Sequence, residues 1–188
     1  MIKNRLITTA MMMALSAPTL AQGVYIGASA AITKNDKICE GITSRCDDKD
    51  STVKLNIGYQ FTPNWAIEAM YMDSVEYDAD FGGVRPEVYE VDGYGLSIVG
   101  SYPINTDFSL SAKLGMFSWD AELTEAFGSG NPLSESGTDI SYGLGAAYHV
   151  TPQIDLKLGW ERLNIDSDTY VDSSDIDTLS IGVDYKFF

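Results

Sequence analysis

From Gly23 onward, the chain repeats segments of about ten residues in which apolar side chains alternate with small or polar ones. The clearest segment alternates Val53, Leu55, Ile57, Tyr59 and Phe61 with Lys54, Asn56, Gly58 and Gln60. Alternation with a period of two predicts a β-strand that has one apolar and one mixed face. Eight such segments occur in the chain, and they predict eight strands.

The connections between these segments alternate in length. Short turns with Pro or Asn occur at 62–64, 103–107 and 151–153, and long acidic connections fall near 33–50, 72–90, 124–138 and 166–177. Tight turns at one end and long loops at the other are typical of transmembrane β-barrels. The pattern predicts an all-β fold: an eight-stranded antiparallel up-and-down transmembrane barrel with short periplasmic turns and long extracellular loops.

A soluble lipocalin-like barrel also has eight antiparallel strands, with its apolar face turned inward. Two features favour the membrane barrel. The mixed face is rich in Gly, Ala and Ser, which suits a crowded interior. Aromatic residues on the apolar face also lie toward both ends of the strands, as the two interfaces of a bilayer require. These residues are Phe61, Trp65, Tyr102 and Phe108 near the short turns, and Tyr71, Tyr94 and Trp160 near the long loops.

The first 21 residues have the features of a cleaved signal peptide. Lys3 and Arg5 are followed by a short apolar stretch, and Ala21 ends a run of small residues suited to cleavage. The apolar stretch is too short to span a bilayer as a helix, which needs about 20 residues. We predict a signal peptide over 1–21 and one barrel domain over 22–188.

The charge is strongly acidic, with 27 Asp and Glu against 12 Lys and Arg. Nucleic-acid binding requires Lys and Arg to neutralise phosphates, so a nucleic-acid partner is excluded. Cys39 and Cys46 are the only cysteines, and both fall in the first long loop. In an exported chain an even number of cysteines predicts a disulfide. Free thiols or a metal pair are the alternatives, but no His lies nearby.

Several short motifs resemble the outer-membrane protein A (OmpA)-like transmembrane β-barrel family, and the resemblance covers residues 22–188. The motifs are GVYIGA at 23–28, AIEAMY at 66–71, AKLG at 112–115, GLGAAY at 143–148, LKLGWE at 156–161 and VDYKFF at 183–188. The resemblance implies a protein of the Gram-negative outer membrane, exposed at the cell surface, in contact with membrane lipid and lipopolysaccharide. We expect a monomer.

The resemblance also bears on the end of the chain. Family members usually end on one Phe in phase with the outward residues, a signal read by the barrel-insertion machinery. Phe187 has that phase here, and Phe188 is an extra residue. Because the chain ends where the barrel closes, we expect no peptidoglycan-binding domain of the kind that some relatives carry.

Eight charged residues fall on the predicted inward face. They are Lys54, Lys113, Lys157 and Lys186 together with Glu68, Asp155, Glu161 and Asp184. An eight-stranded barrel is filled by its own side chains, which excludes a wide porin. Two interpretations remain for these charges: a structural network of ion pairs, or a narrow, porin-like ion channel, which the resemblance implies. Lys157 stands where relatives often carry Arg, which weakens bidentate pairing with a carboxylate.

The long loops carry most of the outward charge and are the predicted site of function. In the first loop, Lys34, Lys37, Arg45 and Lys49 are candidates to meet lipopolysaccharide phosphates, and the other loops are acidic enough to recruit a basic host or phage surface ligand. We predict a non-enzymatic barrel that supports envelope integrity and surface interaction.

Calcium is a further hypothesis for the last loop, because hard cations prefer oxygen ligands. The candidates are Asp166, Asp168, Asp172, Asp175 and Asp177. The spacing lacks the full calcium-loop motif, so a solvated acidic loop is the alternative. The sequence predicts no cofactor.

Some eight-stranded barrels modify lipid A, and such an enzyme would need a His, a Ser and an orienting carboxylate within reach. The single histidine, His149, lies at a short-turn end and has no suitable Ser beside it. We predict that His149 is a polar residue at the lumen mouth. Glu161 and Arg162 point to opposite faces of their strand and form no catalytic pair. The sequence therefore predicts no enzymatic activity.

Overall fold

The computed structural model describes residues 23–35, 46–47, 49–79, 87–124, 133–165 and 174–187. Eight long strands occupy nearly all of them. The strands are β1 Val24–Asn35, β2 Lys49–Thr62, β3 Trp65–Ala79, β4 Glu87–Pro103, β5 Phe108–Thr124, β6 Leu133–His149, β7 Ile154–Ile165 and β8 Ser174–Phe187. A two-residue strand, Cys46–Asp47, also pairs with the end of β3.

The strands form a closed antiparallel barrel. Each strand pairs with the next one along the chain, and β1 pairs with β8 from Val24 opposite Phe187 to Asn35 opposite Ile176. Closure satisfies the backbone hydrogen bonds of both terminal strands, as a sheet surrounded by lipid requires. The part of the chain that the structure describes contains no helix long and apolar enough to cross a bilayer.

The predicted outward faces are confirmed in all eight strands. Large apolar side chains point away from the barrel, with Ile181, Leu144 and Leu96 each more than 60% exposed. Aromatic contacts occur at both ends of this apolar belt. Near the short turns, Phe108 and Tyr148 have ring centroids 4.9 Å apart, and near the opposite end, Tyr142 and Trp160 are 6.1 Å apart. The barrel is inside-out relative to a soluble protein, as expected for a lipid solvent.

The predicted loop boundaries at 72–90 and 124–138 are wrong. β4, β5 and β6 are 17 residues long, whereas about 9–11 residues suffice to cross the bilayer. These strands therefore continue beyond the apolar belt on the long-loop side. Asp73, Glu90 and Glu135, which fall within the predicted loops, lie on strands. Asp175 and Asp177 likewise lie on β8.

The reason for this error is a change of face polarity along the strand, which is clearest in β5. In β5, Leu114 and Met116 are exposed on the outer face, but two residues further on the outer face carries Ser118. The inner face changes in the opposite sense, because Phe117 and Trp119 are buried there. Side chains of β5 continue to alternate between the two faces, but the outer face becomes polar and the inner face apolar, because the outer face passes from lipid into water.

A bulge in β3 accompanies this transition. The register with β4 shifts between Met72 and Val75, which pair with Gly93 and Val91. Both Met72 and Val75 are fully buried inside the barrel, although an odd spacing of three residues separates them. A bulge inserts one extra residue into a strand, so that Val75 points inward again although it lies three residues after Met72. A strict period-two pattern could not predict that Val75 points inward.

Some predictions fall outside the described residues and remain predictions. These are the signal peptide at 1–21, the bridge from Cys39 to Cys46, the first-loop bases Lys37 and Arg45, the calcium candidates Asp166, Asp168 and Asp172, and the extra Phe188. The domain boundary at 22–188 is likewise untested.

Candidate functional site

The interior begins, at the short-turn end, with a group of ion pairs. Lys186 Nζ lies 2.6 Å from Asp155 Oδ2, and Lys157 Nζ lies 2.8 Å from Asp184 Oδ2. Both carboxylates are buried. They are held on β7 and β8, whose inward residues alternate with the lipid-facing leucines. Burial of these charges is tolerated because each one has an opposite partner.

Glu161 and Glu68 form the centre of the network. Glu161 accepts hydrogen bonds from Lys54 and lies 2.8 Å from Lys113 Nζ. Glu68 lies 3.4 Å from Lys157 Nζ and 3.8 Å from Lys113 Nζ. Lys113 and Lys157 therefore each bridge two carboxylates. The structure brings all eight of the charged residues singled out from the sequence into one interior column of ion pairs.

Two uncharged residues complete this column and were missed in the sequence. The Tyr25 hydroxyl donates to Glu68 Oε2 at 2.9 Å, and Asn56 Nδ2 donates to Asp184 Oδ1 at 3.2 Å. Both stand in the inward phase of their strands, so the alternation could have identified them. They satisfy carboxylate lone pairs that the lysines leave open, which lowers the cost of burial.

Above the ion pairs, toward the long loops, the interior contains a buried apolar layer. Its members share strong burial, each with at most 6% of its surface exposed. They are Met70, Met72, Val75, Val91, Phe117, Trp119, Ala121, Leu163, Ile165 and Ile176. Trp119 Nε1 donates to Asp139 Oδ2 at 2.7 Å, so the indole has its polar partner on β6. No prediction from the sequence included this apolar layer.

Two cavities lie on the periplasmic side of the apolar layer. One of about 260 Å³ sits at the short-turn end and is lined by polar residues that include His149, Asp155 and Lys186. The other, about 70 Å³, lies among the ion pairs beside Lys54, Glu68 and Lys113. Both cavities of the described interior thus lie between the short-turn end and the apolar layer.

His149 lines the wider cavity, at the lumen mouth. Its Nδ1 lies 2.7 Å from Asp155 Oδ1, and within the described chain no serine hydroxyl bonds the imidazole. Asp155 is shared with Lys186. Arg162 faces outward while Glu161 is buried inside, so these neighbours do not act together. The geometry contains an oriented imidazole but no nucleophile joined to it.

Two of the five calcium candidates can be placed. Arg162 donates to both oxygens of Asp177, at 2.8 and 2.6 Å, and its Nη1 lies 3.8 Å from Asp175 Oδ2. The arginine fork therefore neutralises Asp177, and Asp175 lies at its edge. Among the residues that the structure describes, no group of three His, Cys, Asp or Glu side chains could hold a metal ion.

The outer surface above the apolar belt divides by charge. One side carries an acidic arc on β3, β4 and β5, consisting of Asp73, Glu90, Asp92, Asp120 and Glu122. Asp92 stands directly opposite Asp120, and Glu90 directly opposite Glu122, so like charges face each other across the strands. Partial burial, followed by the repulsion of Asp120, Glu90 and Asp73, raises the pKa of Asp92.

The other side carries a basic arc, consisting of Lys34, Lys49 and Arg162. Lys34 stands opposite Lys49 on one side and opposite Asp177 on the other, and Asp177 stands opposite Arg162. The four residues thus form one outward row across β7, β8, β1 and β2. Arg162 also lies 5.8 Å from the Trp160 ring, which places the row just above the aromatic edge of the belt.

Comparison with known families agrees with this architecture. A model described as outer membrane protein beta-barrel domain matches residues 7–187. The chain belongs to this family. Curated relatives include outer membrane protein A of Escherichia coli O157:H7, which is 28% identical over 135 residues, and that of Klebsiella pneumoniae, which is 30% identical over 135 residues. Both alignments cover 69% of the chain, which spans only 37% and 39% of the relatives' lengths.

Solved outer-membrane barrels share the fold. Neisserial surface protein A matches with a TM-score of 0.63 at 20% identity, covering 87% of this chain and 97% of that one. Ail, the attachment invasion locus protein of Yersinia pestis, matches with a TM-score of 0.55 at 20% identity, covering 88% and 97%. A second Ail structure, with a TM-score of 0.54 at the same identity and coverage, contains the heparin analogue sucrose octasulfate. The protein is thus an OmpA-like barrel of the Gram-negative outer membrane.

Proposed function

We propose that this barrel is a non-enzymatic, non-conducting element of the outer membrane that supports the envelope and makes surface contacts through its acidic extracellular rim. The observation that carries the proposal is the apolar layer across the bore. An ion that entered the periplasmic cavity would pass the lysines and carboxylates and then meet Phe117 and Trp119. Desolvating an ion in such a layer is far costlier than moving it between paired charges.

A narrow ion channel is the competing function, and the interior column of ion pairs with its two cavities supports it. Planar-bilayer recording of the refolded protein separates the two. We expect no discrete openings from the wild type. The double variant Phe117→Ser/Trp119→Ser wets the apolar layer and should introduce openings. Wild-type openings whose size changes in Lys113→Met would overturn the sealed-barrel proposal.

The surface-contact part of the proposal rests on the acidic arc. Its carboxylates project above the lipid on strands, which hold them more rigidly than loops would. A partner with a basic surface is the natural complement, because opposite potentials steer association. Host or phage surface ligands of this chemistry are the candidates.

A cell-adsorption assay tests this contact. Cells that display the protein are allowed to settle on a polylysine-coated surface, and retention is measured at low and at high salt. Asp120→Asn should lower retention, and adding Glu90→Gln and Glu122→Gln should lower it further. Asp107→Asn is the matched control, because it removes an exposed carboxylate at the short-turn end. Equal retention for Asp120→Asn and Asp107→Asn would contradict the proposed role of the acidic arc.

We further propose that the basic arc contacts phosphates of lipopolysaccharide. Lys34 and Lys49 are exposed and stand directly opposite each other in the outward row just above the aromatic edge of the belt, which is the level at which lipid phosphates lie. Lys49→Gln should reduce lipopolysaccharide retained through purification about fivefold, whereas Lys49→Arg should not. Equal loss in both variants would contradict the proposal.

The remaining partner proposals concern assembly. The last strand, with the outward Phe187, is the candidate signal for the barrel-insertion machinery, and the barrel is proposed to be a monomer. Phe187→Ala should slow insertion in vivo while leaving refolding in detergent unchanged. Slow refolding in both settings would indicate a packing role instead.

A further inference from the structure

The flank of the barrel that carries the acidic arc is hollow at the level of the lipid-facing belt. A groove of about 680 Å³ interrupts the wall there, on β2–β5. Ala69 lies within it, between Ile57 and Leu96, whose side chains extend well beyond its single methyl group. Tyr94 lines its upper end, and Asp92 of the acidic arc is the next outward residue above Tyr94. The groove therefore lies directly below the acidic arc.

The flank that carries the basic arc projects outward instead. Leu158, Leu179 and Ile181 form a ridge on β7 and β8, and more than half of each side chain is exposed. Asp177 is the next outward residue above Leu179, and Lys34 stands opposite Asp177. The ridge therefore lies directly below the basic arc. Because β4 and β8 are four strands apart in either direction around the barrel, the groove and the ridge face opposite ways.

The acidic and basic arcs stand at the same level of the membrane. Each begins one outward position above the aromatic edge of the belt, with Asp92 above Tyr94 and Arg162 above Trp160. All copies of a barrel have one orientation in the membrane, so the acidic arc of one copy is level with the basic arc of a copy beside it. Charges are screened beyond about 8 Å at physiological salt. The facing arcs therefore decide the contact more than the net negative charge of the whole chain does.

The shapes of the two flanks match as well. Two lipid-facing walls have no hydrophobic reason to associate, because lipid tails are as apolar as leucine, and association depends on close packing and on polar contacts. The leucine and isoleucine side chains of the ridge can enter the groove over Ala69, whereas an unbroken wall of large side chains would hold the two barrels apart. Close approach is thus possible on the flank whose charges complement those above the ridge.

We propose that this barrel associates laterally with a second copy of itself, with the ridge of one copy in the groove of the next and the basic arc against the acidic arc. Each barrel closes on its own strands and folds as a monomer, so the contact joins complete barrels. The interface is heterologous, because different flanks of the two copies meet. Since these flanks lie on opposite sides, repetition of the contact produces an open row of barrels in the plane of the membrane.

Disulfide cross-linking in proteoliposomes tests this contact. Ser118→Cys places a thiol at the upper end of the groove, and Leu179→Cys places one on the ridge. The refolded mature variants are reconstituted singly or as an equal mixture, at one protein-to-lipid ratio, and oxidised with copper phenanthroline. The mixture should give about fivefold more dimer than either variant alone, because only the mixture brings the two thiols together. Equal yields from the mixture and from the single variants would overturn the proposal.

Two controls set the background of this experiment. The wild-type chain reports cross-links through its own two cysteines. Val53→Cys, an exposed position on β2 between the groove and the ridge, replaces Leu179→Cys in a matched mixture and should give no excess of dimer. An equal excess with Val53→Cys would show unspecific crowding and would overturn the proposal.

Charge reversal tests the part played by the two arcs. Asp92→Lys/Asp120→Lys in the Ser118→Cys copy should lower the dimer yield about fivefold, because like charges then face each other. Lys34→Glu/Lys49→Glu in the Leu179→Cys copy should restore it. A reversal that merely damages the fold would not be rescued in this way. If the reversed variant does not fold, Asp92→Asn/Asp120→Asn should lower the yield in the same sense, and an unchanged yield would overturn the assignment of the arcs.

The groove is tested separately from the arcs. Ala69→Phe fills the groove and should lower the dimer yield, whereas Ala112→Phe, at an outward alanine on β5 that does not line the groove, should not. Equal yields in these two variants would overturn the fit of the ridge. Lipopolysaccharide phosphate is the alternative occupant of the basic arc. Loss of retained lipopolysaccharide in Lys49→Gln, together with no excess dimer in the wild-type background, would overturn association with a second copy and leave the lipopolysaccharide contact standing.

Discussion

At the residue scale, Glu161 shows how this barrel tolerates charges in its interior. Its carboxylate is shared between Lys54 and Lys113, and both cations come from strands on other parts of the wall. The arrangement links β2, β5 and β7 across the bore. Each partner is stable in its buried position only while the others remain charged and in place.

Replacing Glu161 by Gln should therefore destabilise the barrel strongly. The change leaves the buried Lys54 and the partly buried Lys113 without their main carboxylate, and the expected loss in the free energy of unfolding is about 3–5 kcal/mol. Urea titration in lipid vesicles measures it. Lys54→Met/Glu161→Met removes one charge of each sign and should recover part of the loss, while Asp107→Asn at the exposed turn should change little. A loss below about 1 kcal/mol would mean that the network is wetter than its geometry indicates.

On the outer surface, Asp92 illustrates the opposite situation, in which like charges stand together. Because the pKa of Asp92 is raised, the folded protein binds its proton more tightly than the unfolded chain does. The carboxylate therefore lowers stability above its raised pKa, and this penalty disappears as the pH falls through that value.

Asp92→Asn should raise the free energy of unfolding at neutral pH by about 0.5 kcal/mol, because it removes repulsion from a facing Asp120. The difference between wild type and variant should shrink as the pH falls. Urea titrations of both proteins at neutral and acidic pH give the comparison. A variant that is less stable than the wild type at neutral pH would show that Asp92 has a favourable partner.

At the scale of elements, β5 faces lipid along one part of its length and water along the other. Its outer face is apolar up to Met116 and polar from Ser118 onward, while its inner face changes from Lys113 to Phe117 and Trp119. The upper part of the strand thus packs like a soluble β-barrel, with its core inside. The transition marks where the wall leaves the hydrocarbon.

Trp119→Ala tests the packing of this upper part. The indole is almost fully buried, lies against Gly137 and donates to Asp139. Removing it should cost about 3–5 kcal/mol, as for large aromatic residues in other cores. Leu114→Ala, on the lipid face of the same strand, is the control and should cost less, because lipid fills the space. Equal costs would contradict an apolar core in the projecting barrel.

At the scale of the whole molecule, the barrel combines a lipid-facing belt, a column of ion pairs and a buried apolar layer. The belt requires an apolar surrounding, and the projecting upper strands require water. A position across a bilayer satisfies both requirements at once. Because the rim is divided into an acidic arc and a basic arc, we expect its two sides to contact molecules of opposite charge.

This architecture predicts heat-modifiable migration. The unheated protein should migrate faster on a denaturing gel than the boiled one, because the closed barrel resists detergent unfolding. Outer-membrane fractionation of expressing cells provides the second measurement. Recovery of the leaderless chain as a folded monomer in detergent-free buffer would contradict the inside-out assignment of the side chains.

The sequence by itself determined the strand number, the outward face of every strand and the eight inward charges, because lipid on one side and a narrow bore on the other impose a period of two. It could not determine which charges meet, since Glu161 reaches Lys54 from 107 residues away in the chain. Nor did it reveal the extent of β4, β5 and β6, because the polarity of their faces exchanges where lipid gives way to water. The tertiary structure decided those points: closure of the barrel brings Phe117, Trp119, Leu163 and Ile176 into one apolar layer, although each of their segments alone resembles an ordinary alternating strand.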